Sequence, residues 1–172
     1  MTGVPKKIRA KGLILTATLA TAVMLQACAI NKSVHTELVI PAAPEEIWPV
    51  LTDAAGYSAW NPVLVRAEGT FMKDAEITYL YRDPDGKESE IVSTVTKFLP
   101  NRELSQHGGM TGIITFDHTY LLEAVEGGTR VTQKESYFGV WVPFWDADAM
   151  EPAYARANEA LKARVLALKE SG

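Results

Sequence analysis

One stretch near the end of the chain, residues 152–169, constrains the fold most, because it carries the strongest helical pattern in the sequence. Apolar residues recur there at steps of three and four, which places them on one helix face; they are Met150, Ala153, Tyr154, Ala157, Leu161, Val165 and Leu168. Pro152 suits the first helical position, and strong helix formers follow it. A helix of about 18 residues cannot bury such a stripe alone. The sequence therefore predicts that the rest of the domain wraps this helix.

The length and charge of the chain limit what it can be. Its 172 residues suit one domain with a sizeable core. Residues 1–28 hold four basic residues and no acidic ones, so the remainder carries 13 basic against 21 acidic side chains, or -8. Such an acidic body lacks the Lys/Arg footprint that binds phosphates, and we expect no nucleic-acid partner. Because Cys28 is the single cysteine, no intramolecular disulfide or thiolate metal cluster can form.

The first 28 residues have the order of a secretory signal peptide. Basic residues precede an uncharged, mainly apolar run from Gly12 to Leu25, and a small residue, Ala27, stands near its end. Fourteen residues are too few for a membrane-spanning helix, which needs about 20. We predict that residues 1–28 are a signal peptide; the alternative is a buried helix or an anchor that stays.

Residues 25–28, Leu-Gln-Ala-Cys, resemble the lipobox of bacterial lipoproteins. The resemblance implies that Cys28 becomes the mature N-terminus and carries a lipid on its sulfur; the alternative is an incidental buried thiol. The residue after Cys28 is Ala29. An Asp at that position would resemble an inner-membrane retention signal, so we expect an outer-membrane anchor facing the periplasm. Residues 29–33 would be a tether of at most about 18 Å.

The body, residues 34–170, reads as strands followed by the helix. Val34–Ile40 alternate with a period of two, as in a strand. Pro44 then opens a short helix that Pro49 interrupts, and Thr52 or Asp53 caps a second short helix. Further strands are predicted at 63–68, 75–82, 87–98, 103–107, 113–124 and 129–140. Antiparallel strands framed by helices predict an α+β domain with about six to seven strands.

Several segments of the body resemble a known superfamily. Residues 40–48, 51–53 and 57–62 resemble the opening of the START-like superfamily, also called SRPBCC, in its polyketide cyclase/dehydrase branch. Residues 126–133, followed by Glu135 and Gly139, resemble its later signature. The resemblance covers Val34 to Leu168. It implies a helix-grip fold, in which a curved antiparallel sheet grasps the C-terminal helix around an apolar cavity. The family shares no single catalytic set, so the resemblance implies a pocket and no mechanism.

The sequence holds no catalytic or metal-binding motif, and we expect neither a metal nor an organic cofactor. His118 lies in phase with Phe116 and Tyr120 on the sixth strand, where it would orient a ligand or move a proton if that face is concave. Glu135 lies in phase with Tyr137 on the seventh strand, where burial would raise its pKa and make it a base. The alternatives are a structural histidine and a glutamate on an exposed face.

Aromatic residues and His118 are the candidates for the wall of the cavity, and most aromatics could instead be ordinary core. The predicted set is Trp60, Tyr79, Phe116, His118, Tyr120, Tyr137, Trp141 and Tyr154. Residues 139–145 are predicted at the mouth of the cavity, meeting ligand or lipid headgroups, or else packing on the last helix.

Three functions follow as hypotheses. The first is a lipid-anchored extracytoplasmic protein that binds a hydrophobic small molecule or lipid. The second is an enzyme of the cyclase or aromatase kind on a polyketide-like substrate, with His118 and Glu135 as acid and base. The third is a non-catalytic envelope protein whose cavity is filled by side chains.

Overall fold

The computed structural model describes residues 31–144, 147 and 149–171. The predicted signal peptide and Cys28 lie outside the described residues. In chain order the elements are β1 (Lys32–Ile40), α1 (Pro44–Thr52), a 3₁₀ helix (Ala54–Ala59), β2 (Leu64–Glu68), β3 (Glu76–Arg82), β4 (Glu88–Leu99), β5 (Glu103–Met110), β6 (Ile114–Val125), β7 (Gly128–Phe138), a second 3₁₀ helix (Val142–Phe144) and α2 (Met150–Ser171). β1 begins at Lys32, so the last two residues of the tether predicted at residues 29–33 belong to the strand, whereas residues 29 and 30 lie outside the described residues.

The seven strands form one antiparallel sheet in the order β1-β7-β6-β5-β4-β3-β2. The register shifts between Leu64 and Arg66 and between Val95 and Lys97. Such irregularities bend strands and increase their twist, which helps the sheet to curl around α2. This is a helix-grip architecture, and the predicted α+β fold is confirmed.

The strand register sorts the connections to two ends of the sheet. At the upper end lie the start of β1, the β3–β4 turn, the β5–β6 hairpin and the segment that leads into α2. At the lower end lie the β1–α1, β2–β3 and β4–β5 connections and the β6–β7 turn. α2 runs from the upper to the lower end, where Lys169 Nζ lies 3.1 Å from Glu46 Oε1 of α1.

α2 carries the predicted apolar stripe, with three differences. The helix begins two residues before Pro152, which sits in the first turn, where backbone N–H groups have no partner within the helix. Leu168 is 43% exposed, so the stripe is not buried over its whole length. Asn158, which the pattern did not include, is buried and donates a hydrogen bond to Thr36 Oγ1 of β1 at 3.0 Å.

The two short helices also lie where they were expected. α1 starts at Pro44, and Glu46 Oε2 accepts a hydrogen bond from the Ala43 N–H at 2.7 Å. Pro49 does not end α1, which continues to Thr52. The prediction of a side-chain cap on the second helix is wrong: Asp53 makes no such bond, and the Thr52 hydroxyl donates to the Trp48 carbonyl instead.

The lower half of the space between sheet and helices is packed with apolar side chains. Fully buried members include Ile40, Leu51, Ile77, Leu104 and Leu161. This core anchors α1 and the second half of α2 on the sheet, and it leaves the upper half less filled. Within the ranges that the structure describes, no helix is both long and apolar enough to cross a bilayer.

Candidate functional site

A cavity of about 680 Å³ lies in the upper half of the fold, between the concave face of the sheet and the first turns of α2. Period-two alternation puts every second residue of a strand on this face. β6, for example, contributes Ile114, Phe116, His118 and Tyr120. The wall is mainly apolar and aromatic; its polar members are Asn61, Glu90, Ser93, Gln106, His118, Gln133 and Glu135, together with five tyrosines.

Six of the eight predicted wall residues line this cavity: Tyr79, Phe116, His118, Tyr120, Tyr137 and Tyr154. Their role as ligand contacts stays a prediction. Trp60 and Trp141 are not in the wall. Trp60 follows the first 3₁₀ helix and packs beside Tyr57, with ring centroids 5.1 Å apart. Trp141 lies beyond the end of β7, is 55% exposed and packs beside Phe144 at 5.5 Å.

Several wall residues from the other half of the sheet were not predicted from the sequence. Ile91, Ser93 and Gln106 all face the cavity. Gln106 alternates with buried Leu104 and Gly108 on β5, so a period-two signal was present. The burial of Gln106 was nevertheless not predicted, because a polar residue such as glutamine usually marks the exposed face of a strand.

Glu135 lies in the wall of the cavity and is 5% exposed. The Tyr137 and Tyr154 hydroxyls both donate to its Oε2, and their oxygens lie 3.3 Å apart. Burial raises the pKa of Glu135 to about 8, although the hydrogen bond from Tyr137 acts in the opposite direction. Of the two sequence-based alternatives for Glu135, the buried one is therefore what the structure shows, and its carboxyl is mostly neutral near pH 7.

His118 stands directly opposite Glu135 in the β6–β7 register and is 7% exposed. Its ring packs edge-on against Tyr120 and Tyr154, at centroid distances of 4.9 and 5.7 Å. Burial lowers the pKa of His118 to about 4, so the ring is neutral at physiological pH.

The Gln133 amide forms a hydrogen bond with His118, and its other polar group has no partner among the described residues. Its Nε2 lies 2.9 Å from His118 Nε2; with the amide in this orientation, the ring nitrogen accepts the amide proton and the ring proton sits on Nδ1. Gln133 Oε1 is buried and has no hydrogen-bond partner among the described residues. Exchanging the amide's O and N would leave the N–H unpartnered instead, so in either orientation one polar group of Gln133 is left over.

A second polar cluster in the wall consists of Tyr79, Ser93 and Gln106, which form hydrogen bonds with one another. Gln106 Nε2 donates to Tyr79 Oη at 2.8 Å and to Ser93 Oγ at 2.9 Å, and the Tyr79 hydroxyl lies 3.0 Å from Gln106 Oε1. Such a closed network suits a structural role. The site with unused hydrogen-bonding capacity is therefore at Gln133 and its neighbours on β6 and β7.

A larger groove of about 980 Å³ lies on the outer surface between the first 3₁₀ helix and β2, and Trp60 lines it. It is more open than the inner cavity. Its charged residues are exposed and form surface ion pairs, such as Arg66 Nε with Glu68 Oε1 at 3.2 Å. The inner cavity, with its buried polar groups, is therefore the better candidate site. Among the described residues, no three His, Cys, Asp or Glu side chains group as metal ligands.

Comparison with known proteins supports the same architecture. The family model described as "Polyketide cyclase / dehydrase and lipid transport" matches residues 31–166. No curated protein matches the sequence.

Solved structures from distant organisms share the fold. A protein from Rhodobacter sphaeroides is 21% identical, with a TM-score of 0.65 over 79% of this chain and 93% of its own. A protein of unknown function from Staphylococcus aureus is 13% identical, with a TM-score of 0.67 over 83% and 98%. A major latex-like protein from Panax ginseng is 10% identical, with a TM-score of 0.67 over 78% and 97%. At these identities, the likeness shows the fold alone.

Proposed function

The chain belongs to the polyketide cyclase/dehydrase and lipid transport family, and on that premise we propose that it binds a hydrophobic small molecule or lipid in the inner cavity. We further propose that it does so as an extracytoplasmic protein anchored by a lipid on Cys28, on the periplasmic face of an outer membrane. The anchor rests on the lipobox-like residues 25–28.

The cavity is the observation that carries the proposal. Its volume of about 680 Å³ falls within the ~300–1,000 Å³ that small-molecule sites occupy. A protein whose cavity is filled by side chains would lack such a space. The hypothesis of a non-catalytic envelope protein with a filled cavity therefore loses its support. Apolar and aromatic walls favour a ligand that gains from leaving water, by roughly 25 cal/mol per Å² of apolar surface buried.

The polar groups in the wall restrict the ligand further. Gln133 Oε1 is a buried acceptor with no partner among the described residues, and it lies beside neutral His118. Leaving such an acceptor unpaired costs about 1–3 kcal/mol. A ligand hydroxyl can both donate and accept, so it would pair with the left-over group in either orientation of the Gln133 amide. We therefore propose an amphiphile with one hydroxyl group at Gln133 and an apolar body along β3 and β4.

Purified protein tests the proposal directly. The Cys28→Ser chain would be isolated from cells, extracted with organic solvent, and the extract and protein analysed by mass spectrometry. Ala157→Phe would put a ring into the cavity wall from α2, whereas Ala163→Phe makes the same change on an exposed turn of that helix. We expect an extractable mass with the parent chain and Ala163→Phe, and its loss with Ala157→Phe.

Two outcomes would refute ligand binding. One is a parent chain that carries no extractable mass and binds nothing in a lipid panel. The other is a mass that Ala157→Phe retains at parental occupancy, which would place the ligand elsewhere. Thermal unfolding of both variants shows whether Ala157→Phe is still folded.

A catalytic role is the second candidate, because His118 and Glu135 face each other in the register at one cavity wall. Burial raises the pKa of Glu135 to about 8 and lowers that of His118 to about 4. At pH 7 the pair would hold a protonated acid, Glu135, and a free base, His118. If the protein turns over a polyketide-like substrate, and neither Glu135→Gln nor His118→Gln changes the pH dependence of the rate, Glu135 and His118 are not its acid and base.

A further inference from the structure

A cluster of exposed apolar side chains covers part of the upper end of the domain. Its six members are between 36% and 77% exposed: Met110, Ile113, Phe138, Val140, Trp141 and Phe144. We call these six residues the apolar patch. Single exposed apolar side chains are common on soluble proteins, but a contiguous group marks an interaction surface.

Backbone contacts hold the two halves of the apolar patch together. The Trp141 N–H donates to the Ile113 carbonyl at 3.0 Å, which joins the segment after β7 to the β5–β6 hairpin. Gly139 makes this approach possible: its φ is +135°, and a Cβ there would lie 2.2 Å from the Ile113 oxygen. The patch is therefore built by the fold and does not result from one loose loop.

The chemistry of the apolar patch fits an uncharged apolar partner. The runs that form it, residues 108–116 and 136–144, contain no charged residue. Trp and Phe side chains suit the boundary between lipid headgroups and acyl chains, where one ring edge stays wet. The body of the protein carries a net charge of -8, so it gains nothing from anionic lipid.

The start of the fold lies beside the apolar patch. Lys32, the first residue of β1, pairs with Tyr137, the neighbour of Phe138. Cys28 precedes Lys32 by four residues, a reach of at most about 14 Å. A lipid on Cys28 would hold this end of the domain within that distance of the bilayer, which favours lipid over a second protein as the partner of the apolar patch. This step rests on the anchor proposed above.

We propose that the apolar patch inserts into the headgroup region of a zwitterionic bilayer. Met110 belongs both to the patch and to the cavity wall, and Ile114 of the same hairpin also lines the cavity. Insertion would place this part of the wall against lipid, so that a hydrophobic ligand passes between cavity and bilayer without crossing water.

Tryptophan quenching by brominated phosphatidylcholine tests the insertion in the full chain, reconstituted into phosphatidylcholine vesicles. In a Trp145→Phe variant, Trp141 is the reporter of tryptophan fluorescence at the apolar patch. The other two tryptophans are less accessible, since Trp48 is buried and Trp60 is half-buried. Adding Trp141→Phe removes the reporter. Adding Met72→Trp to that double variant moves a reporter to the lower end, at a position 56% exposed, like Trp141 at 55%.

We expect brominated lipid to lower the emission of the Trp145→Phe chain at least twofold more than that of the variant without Trp141. A tryptophan at position 72 should not be quenched. Equal quenching with and without Trp141, or equal quenching of both reporters, would overturn the proposal. Cross-linking of the Trp145→Phe chain as a dimer, with its Trp141 unquenched, would also overturn the proposal in favour of a second copy of the chain.

Separate readouts keep this inference distinct from the proposed function. The intact mass of the chain reports whether Cys28 carries lipid. A lipidated chain with unquenched Trp141 would overturn insertion and leave the anchor standing. An unmodified chain with quenched Trp141 would support insertion and remove the anchor. Extraction of a bound ligand is independent of both, and Phe144→Ala, which lies outside the cavity wall, should not change it.

Discussion

Replacing Glu135 by Gln should remove a pH-dependent loss of stability from this domain. Glutamine resembles the protonated carboxyl, and its amide oxygen can accept the hydrogen bonds from Tyr137 and Tyr154. It cannot ionise. The substitution therefore isolates the titration of one buried group with little change in packing.

The size of the effect follows from the pKa. Burial raises the folded-state pKa of Glu135 from 4.5 to about 8. Each unit corresponds to about 1.4 kcal/mol, so the full difference is on the order of 5 kcal/mol. Below pH 4.5 the carboxyl is protonated in both states and the full stability is present. As pH rises from 4.5 to 8, the unfolded chain ionises first, so the free energy of unfolding falls.

Urea unfolding of the domain from residue 29 onward, at several pH values between 5 and 8, measures this directly. The free energy of unfolding of the parent minus that of Glu135→Gln should fall with a slope of about 1.4 kcal/mol per pH unit. Taking the difference cancels the titration of other groups, including His118.

A flat difference across this range would refute the reasoning. It would mean that Glu135 has the same pKa in the folded and unfolded states, and hence that its carboxyl is hydrated. A rising difference would mean that a cation, absent from the described contacts of Glu135, stabilises the ionised form.

Three further predictions concern other parts of the domain. Burial lowers the pKa of His118 from 6.5 to about 4, so the free energy of unfolding should fall as pH falls from 6.5 to 4. The expected loss is on the order of 3 kcal/mol. Urea titrations of the parent and of His118→Gln at acid pH measure this loss as the difference between their free energies of unfolding. Leu161→Ala should cost about 2–5 kcal/mol because Leu161 is fully buried on α2, whereas Leu168→Ala, at a 43% exposed site, should cost under about 1 kcal/mol in the same urea titrations. Gly108→Ala would place a Cβ 2.5 Å from the Phe116 ring and 2.6 Å from the Val92 oxygen, so we expect a loss of about 1–3 kcal/mol by thermal unfolding and a lower ligand occupancy.

Local patterns were sufficient to predict the elements of this fold. Period-two alternation and turn residues place all seven strands within a few residues of their observed bounds, because both signals act between near neighbours in the chain. The stripe on α2 is similarly a local property. Its exceptions, buried Asn158 and exposed Leu168, depend on which other elements pack against each position of the helix, and helical periodicity does not contain that information.

The site was only partly predictable for the same reason. Alternation puts His118 and Glu135 each on one face of a strand, but it cannot say which face is concave. Curvature of the whole sheet decides that, and with it the burial that sets both pKa values.

The sequence by itself determined the set of strands and helices, the acidic body and the uncharged runs that end up at the upper end. Only the tertiary structure decided which residues meet. It excluded Trp60 and Trp141 from the cavity wall, left Gln133 Oε1 with no hydrogen-bond partner in the described part of the chain, and brought the start of β1 beside Phe138. These are contacts between residues far apart in the chain, and they depend on strand order and sheet curvature, which local sequence patterns do not encode.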